Sequence, residues 1–358
     1  MTKRSASVKH RLKLFLRGAW ARILFHTRLE RLVDRVMPRR LTILAGHCVT
    51  APSNVRLPKD MKIAEAKLER MLRWLASRYE VAPVGRALER LEDGGGKSLL
   101  ALSMDDGYRD NRTHLLPLLQ RLGLSATVYV EGRPLEERRV NWSHKFFWIL
   151  DRVGPRELVR SFAARCADAP TVARLEGLQA EGRADAYQLK RVLKYDAPPG
   201  ARNRAIDEVF AALGGDERGL CDELYMTWAD LRELAQGGIE VGGHTASHEI
   251  LSRLDPAGAD REVREGREAI ARRLDLESAS FAYPFGRRWD YNARSKESVR
   301  KAGFKSAATT HAGTNRRGAD AYELRRLMID EDTELHLVVA EACGGFDLLR
   351  RFGLDLSE

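Results

Sequence analysis

Short apolar runs alternate with amphipathic helical patterns along most of this 358-residue chain, from Leu41 onwards. The runs predict seven strands, at 41–46, 98–104, 126–130, 238–242, 279–283, 306–310 and 324–329. Helical patterns lie between them, at about 63–79, 111–123, 256–274 and 292–302. A parallel strand pair needs a long crossover, which is usually a helix. The alternation therefore favours a parallel α/β barrel or a doubly wound sheet.

The alternation stops between Val130 and Trp228, where the pattern is helical throughout. A structureless loop of this length is uncommon in a compact domain, so we predict a helical insertion at about 131–226. The insertion opens with an aromatic-rich stretch, 141–148. Its side chains either line a sugar site, with Trp142 as the candidate contact, or pack the insertion onto the barrel, which we favour.

The basic charge of the chain is concentrated at its start. The net charge is +10, from 61 Lys plus Arg against 51 Asp plus Glu. Residues 1–40 hold twelve of the basic and two of the acidic residues, so the remainder carries equal numbers of each. A nucleic-acid-binding domain would have its own basic surface. Nucleic acid is therefore not an expected partner of the main domain, 41–352.

Residues 1–40 predict a basic amphipathic helix. Its apolar positions recur three and four apart and are Leu12, Phe15, Leu16, Ala19, Trp20, Ile23, Leu24, Leu29, Leu32, Val33 and Val36. Arg17 and Arg22 divide this stripe into pieces too short for a secretory signal or a membrane span. We expect a cytoplasmic protein, with three alternatives for the segment: peripheral contact with an anionic inner membrane surface, packing on the main domain, or an RNA-binding arm.

Reactive side chains follow three of the predicted strands. They are Asp105 and Asp106, then His244 and His248, then the loop 283–286. Barrel enzymes collect their catalytic groups at the carboxyl ends of their strands. Two His nitrogens and one Asp oxygen leave an open position on a metal ion, which is typical of a catalytic site. The second carboxylate of the acidic pair can then act as a base toward a water that the metal activates.

The segments 103–107 (SMDDG), 244–248 (HTASH) and 283–286 (YPFG) resemble the first three motifs of the polysaccharide deacetylases of the NodB-homology type, carbohydrate esterase family 4. The resemblance spans about 41–330, apart from the insertion. It implies a distorted (β/α)7-type barrel. It also implies removal of N- or O-acetyl groups from sugars with one divalent metal, most commonly Zn²⁺, with Co²⁺, Ni²⁺ or Mn²⁺ as alternatives.

The resemblance also assigns roles to residues. Asp105 would be the catalytic base, and the backbone N–H of Phe285 would help to hold the oxyanion. The implied metal ligands are Asp106, His244 and His248. The candidate substrate contacts are Tyr283, Pro284 and Trp142.

Two family features are missing from their usual places. An Arg that pairs with the base normally stands where this chain has Ala282, so we expect Arg325 or Arg326 to orient Asp105 instead. The late His that serves as general acid is also absent, but the segment ending at His47 resembles its motif, as in permuted members of the family. We therefore assign the acid to His47, with His311 as second choice.

These observations predict a hydrolase that removes an N-acetyl group from an amino sugar of a polysaccharide or a lipid-linked glycan. The segments 309–313 and 324–329 are similar to the closing part of bacterial members from exopolysaccharide biosynthesis. Two alternatives stay open. One is a deformylase or other deacylase of a lipid-linked sugar, and the other is an inactive glycan-binding protein.

Overall fold

The structure is a computed structural model that describes residues 8–50 and 57–356. The first seven residues of the predicted basic segment therefore lie outside the described residues. The chain divides into two compact units, Glu136–Leu224 and the remainder. The sequence prediction set the helical insertion at about 131–226.

Ten strands form within the described residues, and each of the seven predicted runs overlaps one of them. The strands are β1 Leu41–Gly46, β2 Cys48–Thr50, β3 Lys62–Ala64, β4 Glu80–Val81, β5 Leu99–Met104, β6 Thr127–Val130, β7 Glu240–Gly243, β8 Ser280–Ala282, β9 Ser306–Ala308 and β10 Leu327–Met328. The sequence pattern did not predict β2, β3 and β4, because each has only two or three residues and lies in no longer apolar run.

One parallel sheet contains all seven predicted strands, in the order β10-β1-β5-β6-β7-β8-β9, and β4 adds to β5. The first strand therefore lies between β5 and β10, where Leu44 pairs with Leu327. A parallel bridge between Ala308 and Leu324 links the far edge, β9, to the segment that leads into β10. The sheet is thus curled into a NodB-like (β/α) barrel, as the sequence predicted.

Sixteen α-helices are described. They are α1 Val8–Thr27, α2 Glu30–Val36, α3 Glu65–Ala76, α4 Val84–Asp93, α5 Leu116–Leu122, α6 Gly132–Glu136, α7 Trp142–Ala163, α8 Ala169–Ala180, α9 Ala186–Tyr195, α10 Pro199–Ala212, α11 Glu217–Leu224, α12 Trp228–Gln236, α13 Pro256–Leu274, α14 Ala293–Lys301, α15 Leu335–Ala342 and α16 Gly345–Arg351. A π-helical turn, Asn111–Leu115, precedes α5. The long helix α7 is broken at Gly154, whose φ is 74°.

Strand β5 shows how the barrel positions its site. All six of its residues are buried, as expected for a parallel strand that is covered on both faces. Leu100 and Leu102 belong to the core that also contains the apolar face of α3, whereas Ala101 contacts the inner core of the barrel with Tyr129. Because side chains alternate along a strand, Ser103 and Asp105 continue the inner set.

The N-terminal helices pack on the end of the chain. Ala21 and Leu24 of α1 and Val33 of α2 form a buried cluster with Phe346 of α16. The indole N–H of Trp20 donates to the carbonyl of Gly345 at 3.1 Å. Packing on the main domain, one of the three alternatives for this segment, therefore involves one face of each helix. Within the described residues, no helix has the length and apolar character that crossing a bilayer requires.

Candidate active site

Asp106, His244 and His248 converge at the carboxyl edge of the sheet. Asp106 Oδ1 lies 3.2 Å from His244 Nε2 and 3.3 Å from His248 Nε2. All three side chains are buried. They form a group whose ligand atoms all lie within 4.8 Å of one another.

The chemistry of this cluster fits a metal ion. Among the residues that the structure describes, the buried Asp106 Oδ1 has no hydrogen bond, although a buried carboxylate oxygen normally has one. Burial alone would raise the pKa of Asp106, but His248 and His244 outweigh it, and the pKa lies well below its ordinary value. An ionised oxygen and two imidazole nitrogens suit zinc and similar divalent metals.

Hydrogen bonds orient the His244 ring and fix the backbone of His248. His244 Nδ1 lies 2.7 Å from the carbonyl oxygen of Ala282 at the end of β8. A bond of this kind holds a ring in the tautomer that presents Nε2 to a metal. The backbone N–H of His248 donates to Thr245 Oγ1 at 2.9 Å.

Glu262 of α13 anchors the loop that carries both His residues. Its Oε2 accepts the N–H groups of Ala246 and Ser247, at 3.1 and 2.8 Å. Sequence reasoning missed this residue, because a Glu within an amphipathic helix carries no signal that it turns toward a loop.

The backbone is strained at the cluster. Asp106, Thr245 and His248 have φ values of 72°, 64° and 59°, which residues other than Gly rarely adopt. Such strain is concentrated at functional sites, where the surrounding structure must maintain it.

Asp105 forms a two-pronged ion pair with Arg326. The guanidinium Nη1 and Nη2 donate to the two carboxylate oxygens at 2.7 and 2.8 Å, and both side chains are almost completely buried. Nε of Arg326 donates to the carbonyl of Thr309, and Nη1 lies 3.3 Å from Ser103 Oγ. Arg326, which immediately precedes β10, therefore holds the Asp105 carboxylate in one orientation.

The pair also keeps Asp105 ionised. Burial by itself would raise the pKa of Asp105, but Arg326 and then His244 outweigh it, and the pKa lies below its ordinary value. Ala282, at the position of the family's Arg, is buried in the inner core of the barrel. Of the two predicted arginines, Arg325 lies elsewhere, with its side chain against Gly313.

His47 follows β1 and lies near both carboxylates, since it lowers the pKa of Asp105 and of Asp106. Its Nδ1 is buried and has no hydrogen-bond partner within the described part of the chain. Asn111 donates to the carbonyl of His47 at 3.2 Å and fixes the backbone there. His311, the second choice for the acid, packs beside Tyr291 with ring centroids 5.8 Å apart.

Phe285 lies in a tight turn. The N–H of Gly286 donates to the carbonyl of Pro284 at 2.7 Å, across Phe285 with its φ of 62°. Thr310, after β9, donates its hydroxyl to the Phe285 carbonyl at 2.8 Å. The Phe285 ring packs edge-on against His248, at 4.7 Å between centroids. These contacts fix the direction of the Phe285 backbone next to the metal-ligand cluster.

The three candidate substrate contacts are buried. Tyr283 stacks on Tyr291 at 4.6 Å and donates its hydroxyl to the Tyr322 carbonyl. Pro284 is buried in the same turn as Phe285. Within the helical unit, Trp142 is 4 % exposed and the guanidinium of Arg202 covers its ring at 4.3 Å. Packing accounts for these contacts, and a role in sugar binding stays a prediction.

Asp110 is a further buried carboxylate near the site. Burial raises its pKa to about 7, although hydrogen bonds from Cys48 and from the N–H groups of Asn111 and Val49 oppose the shift. Asp110 is therefore protonated in the folded protein under conditions where an ordinary carboxylate is ionised.

Asp110 gives a prediction for stability. The unfolded chain releases this proton near pH 3.8, so the folded state holds more protons up to about pH 7. Stability is then greatest below that window and falls as the pH rises through it, by up to about 1.4 kcal/mol per pH unit. We expect Asp110→Asn to flatten this fall. Urea denaturation of the metal-free protein across the window measures it, and an unchanged slope in the variant would contradict the assignment.

Comparisons with known proteins agree with this geometry. A family model described as polysaccharide deacetylase matches residues 189–307, which include both His ligands and the 283–286 turn. The protein YxkH of Bacillus subtilis strain 168, assigned by name to the polysaccharide deacetylases, is 19% identical over 295 residues, which are 82% of this chain and 72% of YxkH. The part of the chain that carries His244, His248 and the 283–286 turn therefore matches the polysaccharide deacetylase family.

Two solved structures are similar to this chain in fold. The Streptococcus pyogenes deacetylase PplD, in complex with acetate, superposes with a TM-score of 0.54 at 16% identity, covering 86% of this chain and 99% of PplD. IcaB from Ammonifex degensii gives a TM-score of 0.54 at 16% identity, covering 86% of this chain and 98% of IcaB. The chain therefore has the barrel fold that its sequence motifs predicted.

Proposed function

We propose that this protein is a metal-dependent hydrolase that removes an N-acetyl group from an amino sugar of a polysaccharide or a lipid-linked glycan. The observation that carries the proposal is the Asp105–Arg326 ion pair immediately beside the cluster of Asp106, His244 and His248. A base held ionised next to three side chains that could hold a metal is an arrangement that suits metal-assisted amide hydrolysis.

Asp106, His244 and His248 would hold the metal. When bound, a divalent metal, with zinc as the first expectation, would polarise the acyl carbonyl and lower the pKa of water. The hydrogen bond from His244 to the Ala282 carbonyl would keep Nε2 directed at the ion.

Asp105 would act as the base. Its carboxylate, ionised and oriented by Arg326, would accept a proton from the attacking water. Both oxygens of Asp105 already accept a hydrogen bond from Arg326. Arg326 therefore sets the orientation of the base and limits its basicity. It thereby performs the function that the family gives to the Arg missing at Ala282. This replacement supports an active enzyme over an inactive glycan-binding protein.

Phe285 and His47 would complete the reaction. The Phe285 N–H, fixed by the turn at 284–286 and by Thr310, would donate to the developing oxyanion. His47 would donate a proton to the departing sugar amine, so that acetate and a free amine leave. The position of His47 near both carboxylates supports this assignment over His311.

The names of two relatives support removal of acetyl groups from a glycan, since YxkH is named as a polysaccharide deacetylase and the deacetylase PplD is described with bound acetate. The test is to measure acetate and free amine released from short N-acetylglucosamine oligomers and from a lipid-linked N-acetylglucosamine. We expect release from at least one, loss with a chelator, and recovery with zinc. Release of formate from an N-formyl substrate without release of acetate would contradict the acyl group proposed. Release that persists in chelator-treated, metal-free protein would contradict metal dependence.

A further inference from the structure

The two N-terminal helices each bury one apolar face and expose another. On α1, Ala21 and Leu24 are buried, whereas Leu12, Phe15 and Ile23 are 55%, 68% and 49% exposed. These three lie on one side of the helix, since they are separated by three and by eight positions. The single stripe predicted from the sequence is therefore two stripes, of which only one packs on the protein.

The same division continues after α1. Val33 of α2 is buried, but Leu32 and Val36, one turn apart, are 57% and 64% exposed. Of the thirteen large hydrophobic side chains that are exposed in the described residues, ten lie here or at the end of the chain. The ten are Leu12, Leu14, Phe15, Leu16, Ile23, Leu29, Leu32, Val36, Phe352 and Leu354. We call these ten residues the apolar surface. Because such residues normally occur singly on a protein, their concentration marks an interaction surface.

The apolar surface is accompanied by exposed arginines. Neither α1 nor α2 has an exposed carboxylate among its described side chains. Exposed basic residues are Arg11, Arg22, Arg28, Arg31 and Arg35. The two acids of these helices are Glu30, which is buried, and Asp34, which pairs with Arg40. The exposed face of the segment is thus both apolar and positively charged.

We propose that this apolar surface and its arginines dock the protein on an anionic lipid bilayer, at the cytoplasmic face that the sequence predicts. A bilayer accepts leucine and phenylalanine side chains below its headgroups and attracts arginines to its anionic phosphates. A second copy of the chain would bring like charges together, which disfavours self-association. RNA would account for the arginines but would leave the aliphatic side chains in water.

The test uses surface substitutions in the full chain. Deleting residues 1–36 would uncover the core contacts of Leu24 and Val33, so loss of binding could then reflect misfolding. The apolar variant combines Leu12→Ser, Phe15→Ser and Ile23→Ser. Its control combines Tyr187→Ser and Leu276→Ser, which are 53% and 40% exposed and lie outside the apolar surface.

A second pair of variants tests the charge. Arg11→Glu with Arg22→Glu reverses two exposed charges of α1. The control is Arg86→Glu with Arg264→Glu, whose side chains are 65% and 54% exposed on other helices. Binding is measured by flotation with vesicles of equimolar phosphatidylglycerol and phosphatidylcholine, and with phosphatidylcholine alone.

We expect binding to the anionic vesicles that weakens with added salt, and much weaker binding to the neutral ones. Both N-terminal variants should lose about tenfold or more in affinity, and both controls should not. Equal binding by the variants and their controls would overturn the proposal. A dimer that forms with rising protein concentration and is abolished in the apolar variant would also overturn it. So would a protein that does not bind vesicles but binds RNA, if the charge variant loses that RNA binding. Acetate release from a soluble oligomer should stay unchanged in all four variants, which separates this test from that of the proposed function.

Discussion

The Asp105→Asn variant should lose about 10²–10⁴-fold in the rate of acetate release, the range that a positioned acid or base contributes. The amide of Asn keeps the size of the carboxylate but cannot take up a proton from water. Because Asp105 is not among the three converging ligands, the variant should still bind one zinc ion per chain. Initial rates on an N-acetylglucosamine oligomer, with metal content measured on the same samples, test both statements.

The matched control is Asp347→Asn. Asp347 is also a buried carboxylate paired with an arginine, Arg350, but it lies in α16, away from the strand ends. It should lose stability without a comparable loss of rate in the folded fraction. Turnover retained by Asp105→Asn at full metal content would remove the base role from Asp105.

Arg326→Met should destabilise the protein by about 3–5 kcal/mol, the cost of breaking a buried ion pair at one end. The Asp105 carboxylate would then be buried with no guanidinium to offset its loss of water. The double variant Asp105→Asn, Arg326→Met should recover part of that loss, because it leaves no unpaired charge. Urea denaturation of metal-free protein for the two single variants and the double variant gives the coupling energy.

Arg325→Met is the control for this cycle. Arg325 is adjacent in sequence, but its side chain lies against Gly313 instead of Asp105. We expect it to change the free energy of unfolding by less than about 1 kcal/mol. Equal losses for the two arginines, or additive effects of the Asp105 and Arg326 substitutions, would contradict the paired role.

The sequence predicted the barrel because each long strand is buried on both faces and is a continuous apolar run, as in Leu99–Met104. The short pair β2 and β3 was not predicted, because each strand has only three residues and lies in no longer apolar run. The convergence of Asp106, His244 and His248 was predictable from the parallel sheet itself. The carboxyl ends of parallel strands meet at one edge, so residues far apart in sequence were expected to meet there.

Other features depend on contacts that no local pattern records. Arg325 and Arg326 are equivalent in the sequence, and the direction of each side chain decided which one pairs with Asp105. The helical period of residues 12–36 predicted amphipathic helices, but not that Leu24 would be buried and Ile23 exposed. Tyr283 was a candidate for substrate contact because it lies in a motif, yet its ring stacks on Tyr291 in the core that β8 forms with α13 and α14.

Titration of zinc into chelator-treated protein, with acetate release followed at each step, tests the proposed metal-dependent deacetylation most directly. We expect activity to rise from almost none and to reach its plateau at one zinc per chain. We also expect an Asp106→Ala, His248→Ala variant neither to bind this ion nor to gain activity, whereas His336→Ala, on α15, should behave like the unsubstituted protein. Full activity before zinc is added, or an unchanged zinc stoichiometry in the double variant, would contradict the proposed metal dependence.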